Sequence, residues 1–358
     1  MDARPSARRR LVGWALYLAA LAVFLEFSAR MLLRVTAVQV ALGNHDDGYW
    51  QDRWIQRQSG PDSMVYGFDR YDPDFGWRTV PDLVRKPVFR GKWLTTNHEG
   101  DRDDHEWSES KPPGIETRIL AIGDSFTFGE EVSNDETWAS LLARDLPATE
   151  VLNAGVHGYG LDQILLRLRR ALPRWHPDVV VLGFFFDDLT RNPLGFRDYA
   201  KPRFRLLPDG ELELVGPPLP TPDEVKRVDW MRLRSVDFAR RIVGLFRKAD
   251  RGRETHRLGA AILERIARES LEAGATPVFV YLPSRRDFGP KPGWGERWMF
   301  DQCRRIPGVR CISTRAALTT LRDSGKAPFR VGHYSEAGNA VVARELAGFL
   351  RREGLAGR

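Results

Sequence analysis

Ser125 lies in the run Gly123-Asp124-Ser125-Phe126, at the end of the apolar stretch RILAI. A serine at such a turn exposes its Oγ and leaves backbone N–H groups unpaired, which suits attack on a carbonyl and support of the resulting oxyanion. Gly158 closes a second apolar piece, EVLNAGVHGYG, where a missing side chain lets its N–H approach the same oxygen. His333 sits in His-Tyr-Ser-Glu-Ala-Gly-Asn and is the best placed of the seven histidines to take the serine proton. Singly, each has an ordinary explanation: a turn or helix cap, a bare turn, a surface imidazole. Their order, each at the end of one strand-like segment, points to acyl transfer at an ester.

The elements that must hold these residues follow from hydrophobic pattern. RILAI, EVLNA and PDVVVLGFFF are short apolar runs ending in turns, as in buried parallel strands, and PVFVYLPS is a fourth. Between them, Trp138–Leu146, Leu161–Leu172 and Leu258–Ala273 have helical period. A further helix and short strand fall within 300–321, and a last helix covers Ala337–Leu350. Such alternation predicts a doubly wound α/β domain over 116–350 with its crevice at the strand carboxy ends. Residues 192–250 interrupt it: a hairpin turning at Asp209-Gly210, a proline-rich stretch, then a basic helix around Trp230–Lys248. This insertion is expected to cover or shape the site.

The amino terminus reads differently. Residues 1–10 form a basic tail with four arginines, and the stretch from Leu11 to Leu25 carries no charge. Extended to Leu33 it is long enough to cross roughly 30 Å of hydrocarbon, with Glu26 and Arg30 one turn apart at the far side. Arginines before the span predict a cytoplasmic amino terminus and an outer carboxy-terminal domain. Cleavage as a signal peptide at Ala20-Leu21-Ala22 is the competing reading, and would leave a greasy new terminus. Residues 34–115 are loop-rich and aromatic, and are expected to pack on the domain. Of the net charge of +7 the tail supplies +3 (four arginines against Asp2) and the rest is spread along the chain, without the basic stripe that nucleic-acid binding requires. Neither a dinucleotide fingerprint nor a phosphate-binding loop is present, so no cofactor is expected. His157 lacks partners at ligand spacing and reads as a loop histidine, with no metal site. Cys303 and Cys311 could pair in an oxidising compartment or remain separate thiols.

The blocks AIGDSFTFGEEV, LNAGVHGYG and VGHYSEAGNAVVA, with TNHEGDRDDHEW and VVVLGFFFDDLTRN, resemble the SGNH (GDSL-type) hydrolases, specifically bacterial membrane-anchored members. The resemblance spans about Tyr71 to Leu350. It implies a flavodoxin-like three-layer sandwich with a central parallel sheet. Ser125 would be the nucleophile and His333 the base, and the oxyanion hole would be formed by Ser125, Gly158 and the third-block position, here Asp187. It further implies hydrolysis or transfer of acyl groups on oxygen esters, often acetyl groups on carbohydrates.

Two positions depart from the family pattern. Asp187 stands where an asparagine amide normally donates to the oxyanion, and a carboxylate only accepts. It could donate if buried and protonated, or Asn192 could substitute. The aspartate that normally precedes the histidine is also absent, with Arg330 and Val331 in its place. A Ser–His dyad braced by a backbone carbonyl, or Asp323 from the preceding loop, are the alternatives. The sequence therefore predicts an ester hydrolase or acyltransferase acting on acylated glycans or lipids of the cell envelope. The alternative is a degenerate member with a glycan-binding or assembly role.

Overall fold

The computed structural model describes residues 7–43, 46–59 and 67–357. Most of the basic tail, including Arg4, lies outside the described residues. Helix α1 (Ala7–Leu32) is long and apolar enough to cross a membrane, and none of its apolar window is buried against the rest of the protein. Two short helices follow, α2 (Thr36–Leu42) and α3 (Asp47–Ser59), then two antiparallel hairpins: β1 (Asp69–Asp72) with β2 (Gly76–Thr79), and β3 (Lys86–Val88) with β4 (Lys92–Leu94). Their aromatics are covered. Trp77 is fully buried and shares the main core with Phe75, while Phe68 and Leu94 pack with Phe128.

The domain begins with β5 (Thr117–Gly123), followed by the single-turn helix α4 (Ser125–Phe128), α5 (Trp138–Asp145), β6 (Thr149–Asn153), α6 (Leu161–Trp175) and β7 (Val179–Phe184). The interrupting segment contains the hairpin β8 (Arg203–Leu206) and β9 (Leu212–Val215), then α7 (Pro222–Asp229) and α8 (Arg234–Phe246). The basic helix expected at 230–248 is thus α8, and a separate helix α7 occupies the stretch before it. Helix α9 (Lys248–Glu272) starts ten residues earlier than hydrophobic period predicts, because its first turns are polar and only its later half faces the core. The chain finishes with β10 (Thr276–Tyr281), α10 (Trp294–Arg305), β11 (Arg310–Ser313), α11 (Arg315–Asp323) and α12 (Glu336–Arg352).

Five strands form one parallel sheet in the order β11-β10-β7-β5-β6. The three central strands β5, β7 and β10 are largely apolar because both of their faces are covered. Leu120, Ile122, Val180 and Leu182 point to the layer of α6 and α9, whereas Ile119, Ala121, Val179 and Val181 point to α5 and α12. The strand order reverses direction at β5, with β6 on one side and β7 on the other. That reversal opens a crevice beyond the carboxy ends of these strands. At this edge Gly123 faces Gly183, and a Cβ at Gly123 would meet Thr127 Oγ1 at 2.1 Å and Gly183 O at 2.9 Å. Bare backbone there lets α4 nest against the strand ends. Cys303 and Cys311 form a disulfide that ties α10 to β11.

Candidate active site

Ser125 opens α4 immediately after β5. The Asp124 carboxylate accepts the Phe126 N–H at 2.9 Å and so closes the turn that turns Ser125 toward the crevice. Ser125 Oγ lies 2.8 Å from His333 Nε2, across 208 residues of sequence. His333 stands on the loop before α12. Ser335 caps that helix, its Oγ accepting the Gly338 N–H at 3.1 Å. Gly158 follows β6 with φ +76° and borders the same cavity of about 590 Å³. Among the described residues, the N–H groups of Ser125 and Gly158 donate to no protein acceptor. Other cavities of about 650 and 750 Å³ lie away from Ser125 and contain no nucleophile–base pair.

The acid partner of His333 comes from a place sequence spacing did not indicate. Glu130 and Glu131 leave α4 through Gly129, whose left-handed conformation turns the chain back toward His333. Glu130 Oε2 lies 2.9 Å from His333 Nε2, and Glu131 Oε1 lies 3.7 Å from Nδ1. Glu131 also accepts the N–H groups of Val331 (2.8 Å), Gly332 (2.9 Å) and His333 (3.2 Å), fastening the histidine loop. Glu131 itself has φ +71°, a conformation that costs a non-glycine residue and persists only where surrounding contacts impose it. Arg102, from the TNHEGDRDDHEW block, imposes it by donating to the carbonyls of Phe128, Gly129 and Val132. The signal available in sequence was the Glu-Glu pair five residues after the nucleophile. Nothing local links that pair to a histidine 202 residues further on.

Asp323 is therefore displaced as an expectation, and no backbone carbonyl braces His333: its Nδ1 has no hydrogen-bond partner among the described residues, Glu131 lying nearest as an ion-pair acid. Asp323 is exposed at the end of α11 and pairs with Arg322 at 2.8 Å. Burial alone would push the His333 imidazolium down, but Glu130, Glu131 and Asp124 outweigh it and raise it to about 10. Burial likewise opposes ionisation of Glu131, yet its hydrogen bonds to His333 and the loop amides hold it down to about 2. The two carboxylates thus favour the protonated imidazole.

Asp187 borders the cavity, but it is exposed, and no group bonds to its carboxylate among the described residues. The buried acid is its neighbour: Asp188 is fully buried, and burial with the nearby Asp124 raises its carboxyl well above the usual range. Arg191 bridges Asp188 (2.6 Å) and Asp124 (3.2 Å). Asn192 is fully buried beside Gly160, outside the cavity lining, and its side-chain amide has no hydrogen-bond partner among the described residues. It is not positioned as an oxyanion donor. His157 does sit in a loop and borders the cavity, but it is buried, with Nε2 2.5 Å from Asp69 Oδ1. Burial raises Asp69 to about 6 despite its histidine partner. Among the described residues no cluster of three or more metal-ligating side chains is present.

A parallel five-stranded sheet, a serine at its reversal point and a histidine on the loop before the last helix define an α/β serine acylhydrolase architecture. The chain belongs to the GDSL-like Lipase/Acylhydrolase family, whose sequence profile matches residues 121–341. A search of curated proteins gave no match. Among solved structures, the chain is similar to the psychrotrophic esterase EstA from Pseudoalteromonas sp., solved with monoethylphosphonate as inhibitor. The identity is 14%, over 66% of this chain and 98% of that one, with a TM-score of 0.40. It is also similar to a catalytic mutant of Axe2, an acetylxylan esterase from Geobacillus stearothermophilus. There the identity is 15%, over 67% and 95% of the two chains, with a TM-score of 0.38.

Proposed function

We propose that this protein is a serine-dependent ester hydrolase or acyltransferase that removes or relocates O-acyl groups, acetyl included, on glycans or lipids of the cell envelope. The 2.8 Å contact between Ser125 Oγ and His333 Nε2 carries the reading. Catalysis uses the tautomer with its proton on Nδ1, facing Glu131, so that Nε2 accepts the serine proton as Oγ bonds to the acyl carbon. The carbonyl electron pair moves to oxygen, where the N–H groups of Ser125 and Gly158 receive it. Nε2–H then protonates the departing alkoxide, leaving an acyl-serine. Water or a sugar hydroxyl, deprotonated by Nε2, attacks that ester and restores Ser125. Asp187 borders the cavity as an exposed carboxyl beside the reacting centre.

The location is part of the proposal. Helix α1 anchors the chain with its amino terminus inside, and the domain works on the outer side. The Cys303–Cys311 disulfide supports an oxidising compartment. A serine-directed fluorophosphonate should label the detergent-solubilised full chain, and Ser125→Ala should abolish labelling while its circular dichroism stays unchanged. Absence of both labelling and p-nitrophenyl acetate turnover across mildly acidic to alkaline pH would overturn the enzyme reading.

A second reading, a glycan-binding or assembly protein that keeps the fold, draws on one observation. Glu130 competes with Ser125 for Nε2 and favours a histidine that already carries its proton. If Glu130→Gln leaves the chain as inert as before, that reading gains; if it brings turnover to lower pH, the enzyme reading stands.

A further inference from the structure

Helix α8 is fastened to the end of α1 by a cap donated from another element. The Glu26 carboxylate of α1 accepts the N–H of Arg234 (3.0 Å), the N–H of Ser235 (3.0 Å) and the Ser235 hydroxyl (2.9 Å). These are the first residues of α8, so Glu26 satisfies amides that a helix start leaves free. Arg30 closes the arrangement with a 2.8 Å ion pair to Glu26 and a contact to the Arg232 carbonyl. The polar side of the segment is pinned as well. Arg232 bonds to Asp229 and Asp237, and Arg241 reaches Asp46 at 3.1 Å and the Gly43 carbonyl at 2.7 Å.

The opposite side carries large exposed apolar residues interspersed with arginines. Trp230 is 73% exposed, Met231 57%, Leu233 57%, Val236 40%, Val243 55% and Phe246 85%. From Leu233 onward these follow helical spacing, so they form one stripe. Arg240, four residues after Val236 and three before Val243, and Arg247 lie exposed on this same face and share a cavity with Val236 and Val243, with stems long enough to lift their charges toward headgroups. A stripe of this size on a water-soluble surface would be a liability. Its position supplies the explanation. Glu26 is the first charged residue after the uncharged stretch of α1. The start of α8, and Trp230 and Met231 just before it, are therefore fixed at the depth where the span leaves hydrocarbon.

We infer that the Trp230–Phe246 face is a second membrane contact: an interfacial element that lies on the bilayer beside α1 and holds the domain in one orientation. Tryptophan belongs at this level of a bilayer, and an amphipathic helix buries its apolar stripe roughly 5–10 Å into the headgroup and acyl boundary. The inference rests on α1 being a membrane anchor, and the test separates the two.

Single cysteines replacing Trp230, Val243 and Phe246 are labelled with an environment-sensitive fluorophore in the full chain; the native cysteines are occupied by their disulfide. Val23 on α1 and Val84, 81% exposed in the loop between β2 and β3, serve as references. The proteins are reconstituted in phosphatidylethanolamine–phosphatidylglycerol vesicles with doxyl groups placed shallow or deep on the acyl chains. The expected result is blue-shifted emission and a severalfold loss with the shallow quencher at 230, 243 and 246, deep quenching at 23, and neither at 84. Water-like emission at 230 and 243 with position 23 still quenched overturns the second contact and leaves the anchor intact. Position 23 in water overturns the anchor reading and the inference with it. Blue-shifted emission at 230 and 243 that no lipid quencher reaches means a second copy covers the face, which also overturns it. If a variant does not fold, amide exchange over 228–233 of the unaltered chain in nanodiscs replaces it; fast exchange there counts against the contact.

Discussion

At the scale of single residues, the chemistry turns on which group owns the proton at His333 Nε2. Glu130 and Ser125 both lie within hydrogen-bond distance of that nitrogen, at 2.9 and 2.8 Å. An imidazolium raised to about 10 is a poor base at neutral pH, so the rate should climb as pH rises toward that value. Glu130→Gln removes the largest attraction for the proton and should move the rising limb of the kcat/KM–pH profile toward neutrality; an unmoved limb would argue against Glu130 as its cause. The same group couples to stability. Its value is higher in the folded chain than the ordinary 6.5, so its contribution is complete below that pH and lost as pH rises through about 10. Urea unfolding between these limits should show stability falling with pH, less steeply in Glu130→Gln. Glu131→Ala removes both the carboxylate facing Nδ1 and the acceptor for three loop amides. A loss of about 10²–10⁴ in kcat/KM is expected, by comparison with triads deprived of their acid. Asp187→Asn should raise kcat, since an amide replaces an exposed carboxylate near the oxyanion; one full donor would be worth about 3 kcal/mol, the upper bound here.

At the scale of elements, the site depends on small residues where β5, β7 and α4 converge. Gly123 and Gly183 are partners across the sheet, and a Cβ on either would run into Thr127 Oγ1 at 2.1 or 2.2 Å. Gly123→Ala should cost about 1–3 kcal/mol through overpacking, read from the denaturation midpoint. Thr127→Ala should recover part of that loss in the double variant, because the two sites share a contact and their effects will not add. A full cost in the double variant would show that strand distortion, not the hydroxyl, is responsible. The loop after α4 illustrates a related point. Arg102, buried and bonded to three of its carbonyls, ties the segment before the domain to the acids beside His333. The residues before β5 thus shape the site rather than merely linking it to α1.

At the scale of the whole molecule, one covalent link and one apolar helix define how the chain is held. The Cys303–Cys311 bridge closes a loop with a sequence separation of 8, for which chain entropy gives about 2–3 kcal/mol. Reductant should lower Tm correspondingly without changing the near-neutral circular dichroism spectrum. An unchanged Tm would mean that α10 and β11 are held by packing alone. Outside the doubly wound domain, the insertion joins back to α1 through Glu26, so α1 and the domain meet through α8.

The sequence by itself determined what local pattern can determine. Apolar runs such as PDVVVLGFFF imply strands buried on both faces, and the alternation with helices implies the doubly wound sheet. Gly-Asp-Ser after the first run marked Ser125, and an uncharged stretch without a polar face marked α1. What only the tertiary structure decided concerns groups distant in sequence or competing at close range. The acids at His333 arrive from 202 residues away, because the sheet places the end of β5 beside the loop before α12. Asp187 and Asp188 differ in no local feature, yet one is solvated and the other buried against Asp124, since the 3₁₀ turn after β7 sends consecutive side chains about 120° apart. Pattern alone leaves the insertion's basic helix free to lie over the site; the Glu26 carboxylate fixes its start at α1 instead. Local pattern reports which faces are apolar; only assembled geometry reports which face meets which, and which carboxylate holds the proton.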